Sequence, residues 1–217
     1  AHFSMASCYG KVKSSVPSGN EVTKQLCPYL PIQKSVDSKD LELTLFSSDE
    51  DFQQGLKLMN DVIVEGKTWP FMDVFEDLDS YKSYFHSHSA FAVKFQDTAV
   101  HGDDVLGCFY IKPNFPGRCS HVCNGGFITN PSYRGLGVGA FMGENFKRLA
   151  KDLGYRASLF NLVFANNIAS VKLWRKLGFT QLAVIPKVAV LEGSEGYVDA
   201  YQFHCDFYAE ESEDNRP

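Results

Sequence analysis

Arg134-Gly-Leu-Gly-Val-Gly139 stands between a short strand-like run, Cys123 to Thr129, and a helical one, Ala140 to Leu153. The helical run puts Met142, Phe146, Leu149, Ala150 and Leu153 on one face, and Gly154 closes it. Lys147, Arg148 and Lys151 fall towards its negative end. Glycines at such a strand-to-helix junction remove side chains, so that backbone N–H groups converge on one oxyanion. The helix start adds partial positive charge, and Arg134 adds a formal one. That combination suits a phosphate or pyrophosphate. A Walker loop would end in Gly-Lys-Ser/Thr, which is absent. A dinucleotide fingerprint would follow the first strand, with an acidic residue about 20 positions on; here the region near 155 reads Gly-Tyr-Arg. A plain strand-to-helix turn stays open on these residues alone.

Outward from the loop, the pattern alternates between the two periods of regular structure. Leu41 to Phe46 alternates as a strand, and Asp49 to Gly66 repeats Phe52, Leu56, Met59, Val62 and Ile63 at helical spacing. A second helix is expected from about Leu78 to His86, then strands over Phe91–Gln96 and Val105–Lys112, with a turn at His101 to Asp104. Downstream of the loop come a strand at Ser158–Val163, a helix at Ile168–Leu177 closed by Gly178, and strands at Phe179–Ile185 and Val198–Tyr208. The order β-α-α-β-β-β-α-β-α-β-β implies a mixed α/β sheet, antiparallel early, with a late βαβ crossover. Residues 1–40 show no period and are expected to form an irregular N-terminal arm. Residues 41–210 read as a single domain, and 211–217 as a polar tail.

The chain has 217 residues, 44% hydrophobic and 22% charged, which is enough for one sizeable core without staples. A formal charge of −5 offers no bulk attraction to nucleic acid or anionic lipid, so an anionic cofactor needs local donors. No run approaches the ~18 apolar residues of a membrane span, and no early stretch has a signal-peptide profile. Six cysteines without framework spacing read as free thiols in a reducing compartment. The expectation is a cytoplasmic protein, with a mitochondrial fraction left open.

Two motifs then act together. Arg134-x-x-Gly137-x-Gly139 resembles the acetyl-CoA loop of the GNAT acetyltransferases, Gln/Arg-x-x-Gly-x-Gly/Ala. Asn167-Ile-Ala-Ser170-Val-Lys-Leu-Trp174-Arg-Lys-Leu-Gly178-Phe179 resembles the next signature of that family, in the right order and one strand away. The resemblance runs from about Val105 to Tyr208. Phe109-Tyr-Ile-Lys-Pro-Asn-Phe115, Arg118 to Phe127 and Leu159-Phe-Asn-Leu-Val-Phe164 further resemble the fungal L-azetidine-2-carboxylate N-acetyltransferases, which act on proline analogues. The N-terminal half resembles them more loosely, around Glu65 to Pro70 and Tyr84-Phe-His86.

The resemblance implies a GNAT fold in which two parallel strands, Cys123–Thr129 and Ser158–Val163, splay to admit the pantetheine arm of acetyl-CoA. Phe127, Ile128 and Thr129 are then expected to offer backbone groups to that arm. Arg134, Gly135, Leu136, Gly137, Val138 and Gly139 would hold the pyrophosphate, with Asn167, Ser170 and Trp174 along the cofactor. It also implies direct attack of an amine on the thioester, with Asn124 and Asn161 orienting a small amino- or imino-acid acceptor. An amide within an apolar strand, as at Asn161, must find partners or cost about 1–3 kcal/mol. The commoner use of Asn at position 167 is a helix N-cap. Where many relatives carry Tyr, this chain has Trp174, whose indole cannot release a proton near neutral pH.

The general base stays open among His121, His86, Glu76 and Asp73. Cys119-Ser-His121-Val-Cys123 is not expected to hold a metal: extended, its ends lie about 13 Å apart, whereas two thiolates on one zinc lie within about 4.6 Å. Two other functions stay open beside imino-acid acetylation, namely acetylation of a protein or peptide and a non-catalytic CoA sensor. A homodimer is compatible with the fold.

Overall fold

The computed structural model describes residues 18–36 and 39–209. Eight strands form one mixed sheet in the order β1-β2-β3-β4-β5-β6-β8-β7. They are β1 (Ile32–Val36), β2 (Lys39–Leu45), β3 (Ser89–Phe95), β4 (Gly107–Pro113), β5 (Val122–Thr129), β6 (Ala157–Phe164), β7 (Thr180–Val190) and β8 (Tyr197–Asp206). The helices are α1 (Asn20–Leu26), α2 (Asp49–Glu65), α3 (Leu78–Phe85), the single turn α4 (Thr98–His101), α5 (Val138–Asp152) and α6 (Ile168–Lys176). Every pairing is antiparallel except β5 with β6, which α5 joins as the expected crossover. From β2 onward the order matches the sequence reading, with the single turn α4 added just ahead of the turn expected at His101 to Asp104.

The N-terminal expectation needs correction. Within residues 1–40, Asn20–Leu26 is helical and Ile32–Val36 pairs with β2, Ile32 opposite Leu43. A boundary at residue 41 therefore cuts a hairpin. The segment is also pinned from the side: Thr23 and Ser89 hydroxyls meet at 2.8 Å, and Asn20 Nδ2 donates to Phe46 O at 3.0 Å. Residues 1–17 and 211–217 lie outside the described residues.

Two apolar layers cover the sheet. On one face, α5 and α6 bring Phe141, Met142, Phe146, Val171 and Trp174 onto Leu43, Phe91, Phe109 and Cys123. On the other, α2 and α3 bring Met59, Val62, Tyr81 and Phe85 onto Ala92, Cys108, Tyr110 and Ile128. Alternate residues of β4 thus enter opposite cores, as the pleat requires. The start of α2 is fixed by charge as well as by capping. Ser48 and Asp51 form a reciprocal capping box, and buried Asp51 also takes the Lys94 ammonium of β3 at 2.7 Å. Asp103 pairs with the same ammonium. Asp51→Ala is expected to cost about 2–4 kcal/mol, because it removes the buried partner of Lys94, leaving Asp103 alone, and the acceptor of two cap donors at once. A urea titration should show a lower midpoint at an unchanged m value.

Candidate active site

β5 and β6 each have eight residues, yet they pair only at Val122–Ala157 and Cys123–Ser158. Beyond Cys123 they diverge. β6 follows β8 instead, and between Phe160 and Val163 two β6 residues, Asn161 and Leu162, face the single Gln202. Such a bulge bends a strand and re-aims its side chains. On the α5/α6 face the diverging strands are wedged by aromatic rings. The Trp174 ring centre lies 4.8 Å from that of Phe127 and 4.5 Å from that of Phe160. Phe146 of α5 closes the cluster at 5.3 and 5.4 Å from the same two rings.

The parting exposes one edge of the β5 backbone. Gly125 N–H has no β4 partner and donates to Asn124 Oδ1 at 2.9 Å. By alternation, Phe127 and Thr129 turn their backbone groups the same way, into the gap. Ile128 differs from expectation. Its carbonyl oxygen lies where a Cβ on Gly107 of β4 would meet it at 2.9 Å, and its side chain is buried under α2 and α3. Neither faces the gap.

At the mouth of the gap, Gly135 and Gly137 adopt φ of 88° and 73°, and a Cβ on either would point into open space. Gly137 is the N-cap of α5 and provides no side-chain cap. By contrast, Ser48, Asp77 and Asn167 cap α2, α3 and α6 with side-chain oxygens. The first-turn donors of the 15-residue α5 are therefore left for an external acceptor. Gly139 brings the helix against β5: a Cβ there would lie 3.4 Å from Thr129 Oγ1. Arg134 lies beside the loop but holds Glu65 at 3.3 Å in a half-exposed pair, an interaction of about 0–1 kcal/mol that an anion can displace.

The opposite face of the gap is polar. Lys112 of β4 is directly across from Asn124 of β5. Asn114, 8% exposed, follows β4 and exchanges two hydrogen bonds with Asn161 of β6, at 2.9 and 2.6 Å. Trp69 packs against the backbone at Gly126, where a Cβ would come within 2.5 Å of its ring and 2.6 Å of that of Tyr110. The Lys112 ammonium is 3.7 Å from the Tyr84 ring centre and 4.2 Å from that of Tyr110. It donates a long hydrogen bond, 3.4 Å, to Tyr84 O. Among the described residues no carboxylate pairs with it, and burial pushes its pKa down to about 7.

The sequence profile of the acetyltransferase (GNAT) family matches residues 57–179. The chain belongs to the GNAT family. N-acetyltransferase aca1 of Schizosaccharomyces pombe is 52% identical over 102 residues, 46% of this chain and 49% of that protein. The chain spans half or less of the curated relatives it matches. A GCN5-related N-acetyltransferase from Kribbella flavida superposes with a TM-score of 0.68 at 26% identity, over 76% of this chain and 97% of that one. The putative acetyltransferase yncA of Salmonella typhimurium, solved with its cofactor acetyl-CoA, has the same fold: TM-score 0.68 at 15% identity, over 82% and 97%.

With the GNAT fold in hand, the remaining residues singled out in the sequence can be placed. Leu136 lies in the loop, and Val138 is the first residue of α5, buried in the core against Gly107 of β4. Asn167 caps α6, its Oδ1 taking Ser170 N–H at 3.2 Å. Trp174 donates its indole N–H to Ser170 Oγ at 2.9 Å and is 3% exposed. Both side chains therefore have roles inside α6 and its core. Of the base candidates, His86 is buried among Phe46, Phe52 and Tyr81, away from the gap, where burial pushes it down to about 3. His121, Asp73 and Glu76 are exposed, outside the helices and strands. Cys119 and His121 are exposed while Cys123 is buried on β5, so the three do not gather.

Lys112 and Asn114 are the polar residues that sequence reading passed over. A signal existed: Lys112 is in phase with Cys108 and Tyr110, which alternation puts in the core. Lys112→Met is expected to raise Tm by several degrees near pH 6, on the order of 2 kcal/mol after the lost cation–π contact. The ammonium titrates lower folded than unfolded, so between about pH 7 and 10 the unfolded chain holds the extra proton and wild-type stability climbs with pH. The advantage of Met should therefore shrink over that window. Thermal melts across it check the slope; a constant advantage would mean that packing, not charge, is the cause.

Proposed function

We propose that this chain is an acetyl-CoA-dependent N-acetyltransferase acting on a small cyclic imino acid, azetidine-2-carboxylate or a related proline analogue, in a detoxifying or stress-protective role. The observation that carries it is the β5/β6 gap, with anion-ready backbone at its mouth and three asparagines on its far face. The residues present fit acetyl-CoA. The uncapped start of α5 would hold the pyrophosphate, and the free edge of β5 would pair with the pantetheine amides. The bound cosubstrate supplies the activated thioester. The name of the S. pombe relative, an N-acetyltransferase, points to the same reaction.

In this reading the acceptor nitrogen attacks the thioester carbon. Backbone N–H groups on the gap side of β5 stabilise the developing oxyanion. Collapse breaks the C–S bond, and the thiolate takes the proton given up by the amine through water. Trp174 takes no part in that transfer, since its N–H is engaged and non-acidic. A thiol of ordinary pKa near ~8.5 makes an obligatory acid unnecessary.

CoA release over an amine panel tests the proposal, with azetidine-2-carboxylate, proline analogues and basic peptides included. Turnover of imino acids is expected. Turnover of peptides alone overturns it in favour of a protein acetyltransferase, and tight acetyl-CoA binding without turnover favours a sensor. Asn124→Ala should lower kcat/KM about 100-fold, near 2.7 kcal/mol, while acetyl-CoA affinity is kept. Loss of both would assign Asn124 to folding.

The homodimer is proposed on separate grounds. Edge strand β7 leaves Leu182, Val184, Val188 and Val190 between 39% and 71% exposed, an apolar stripe suited to a second copy. Light scattering should give twice the chain mass, and Val184→Glu should restore a monomer.

A further inference from the structure

Glu65-Gly-Lys-Thr-Trp-Pro70 joins the end of α2 to both sides of the gap. Trp69 packs against Gly126 of β5, and Gly66 O accepts Glu192 N–H at 3.0 Å from the turn between β7 and β8. Gly66 closes α2 at φ of 66°, its own N–H on Val62 O and Ile63 O. The backbone around Glu65 is thus fixed, and only the side chain is left to swing. That side chain stands against the helix dipole. α1, α3, α5 and α6 each carry a cation in the last turn, namely Lys24, Lys82, Lys151, and Arg175 with Lys176. α2 has none there and ends on the Glu65 carboxylate. What holds this carboxylate lies outside the helix. Its Oε2 meets Arg134 Nη2 at 3.3 Å, and its Oε1 faces Lys67 Nζ at 4.0 Å. The acid is more enclosed than either cation.

Arg134 precedes the uncapped first turn of α5 by four residues. An anion seated at that turn meets the guanidinium and the Glu65 carboxylate together, and the second cancels charge that the first provides. We propose that Glu65 is a resident counter-ion that yields Arg134 to the cofactor's pyrophosphate, so that it loosens the hold on both acetyl-CoA and spent CoA. This rests on the acetyl-CoA site described above and not on the identity of the acceptor. Lys67 offers the displaced carboxylate a second cation. Without Glu65 the chain would hold both forms of the cofactor more tightly, which lowers KM without raising kcat and slows the departure of CoA.

Calorimetric titration with acetyl-CoA and with CoA tests this on four proteins: wild type, Glu65→Gln, Arg134→Gln and the double variant. Glu65→Gln is expected to lower both Kd values about three- to tenfold, with slower CoA dissociation in stopped flow. Arg134→Gln should weaken both ligands. In that background Glu65→Gln should gain less than about twofold, because the group it competes for is gone. Thermal melts of the four proteins run alongside. A Kd raised by Glu65→Gln, with a lowered Tm, overturns the proposal and makes Glu65 a structural support. An equal gain with and without Arg134 overturns it as well, leaving like-charge repulsion as the whole effect. If wild type binds CoA and Glu65→Gln binds it equally well, the cofactor site stands and the counter-ion role falls. Absence of acetyl-CoA and CoA binding in all four proteins overturns both.

Discussion

Everything distinctive about this sheet follows from a parallel strand pair that stays bonded for two positions and then opens. Opening a ladder leaves backbone donors and acceptors without partners, and each one buried dry costs about 1–3 kcal/mol. The rest of the structure makes the opening tolerable. β6 leaves β5 because β8 offers it a full ladder through Phe164, with a bulge at Asn161 to absorb the change in direction. Trp174, Phe127, Phe160 and Phe146 fill the wedge on one face, so the strands cannot collapse back together. The unpaired edge of β5 is then held open rather than strained, ready for a ligand with amides of its own.

That constraint explains which parts of the molecule could be read from the chain. Helices α2, α5 and α6 announce themselves because their apolar residues recur at a helical period and their ends are marked by Ser48, Gly66 and Asn167. β1 does not: Ile-Gln-Lys-Ser-Val has two apolar residues, and its partial burial comes from pairing with β2 and from contacts with the distant core and α5. The parting of β5 and β6 was foreseen from the family motifs. No local pattern encodes it, because it depends on β8, some forty residues further along the chain, competing for β6.

The site shows the same division. The Gly-rich loop is legible because glycine at positive φ is a backbone requirement that sequence writes directly. Asn161 was also legible, since an amide in an apolar strand demands a partner. The identity of that partner was not: Asn114 sits 47 residues away and meets it only after β4, β5 and β6 are assembled. Ile128 failed for the converse reason. Neighbours in a motif alternate in direction, so Phe127 and Thr129 face the gap while the residue between them faces β4.

The protein's overall charge of −5 gives no hint of the donors gathered at the two ends of its cleft. At the mouth the donors are main-chain N–H groups, which carry no formal charge and survive any surface composition. On the far face the donors are amides and one ammonium whose proton is held loosely, because burial has brought it to about 7. Those two solutions differ in what they respond to. A backbone cradle binds with little dependence on pH. A lysine depressed that far changes charge near neutrality, so its attraction for anions fades as pH rises through that value. The mouth, with its uncapped helix and open glycines, leaves main-chain donors free for an external acceptor.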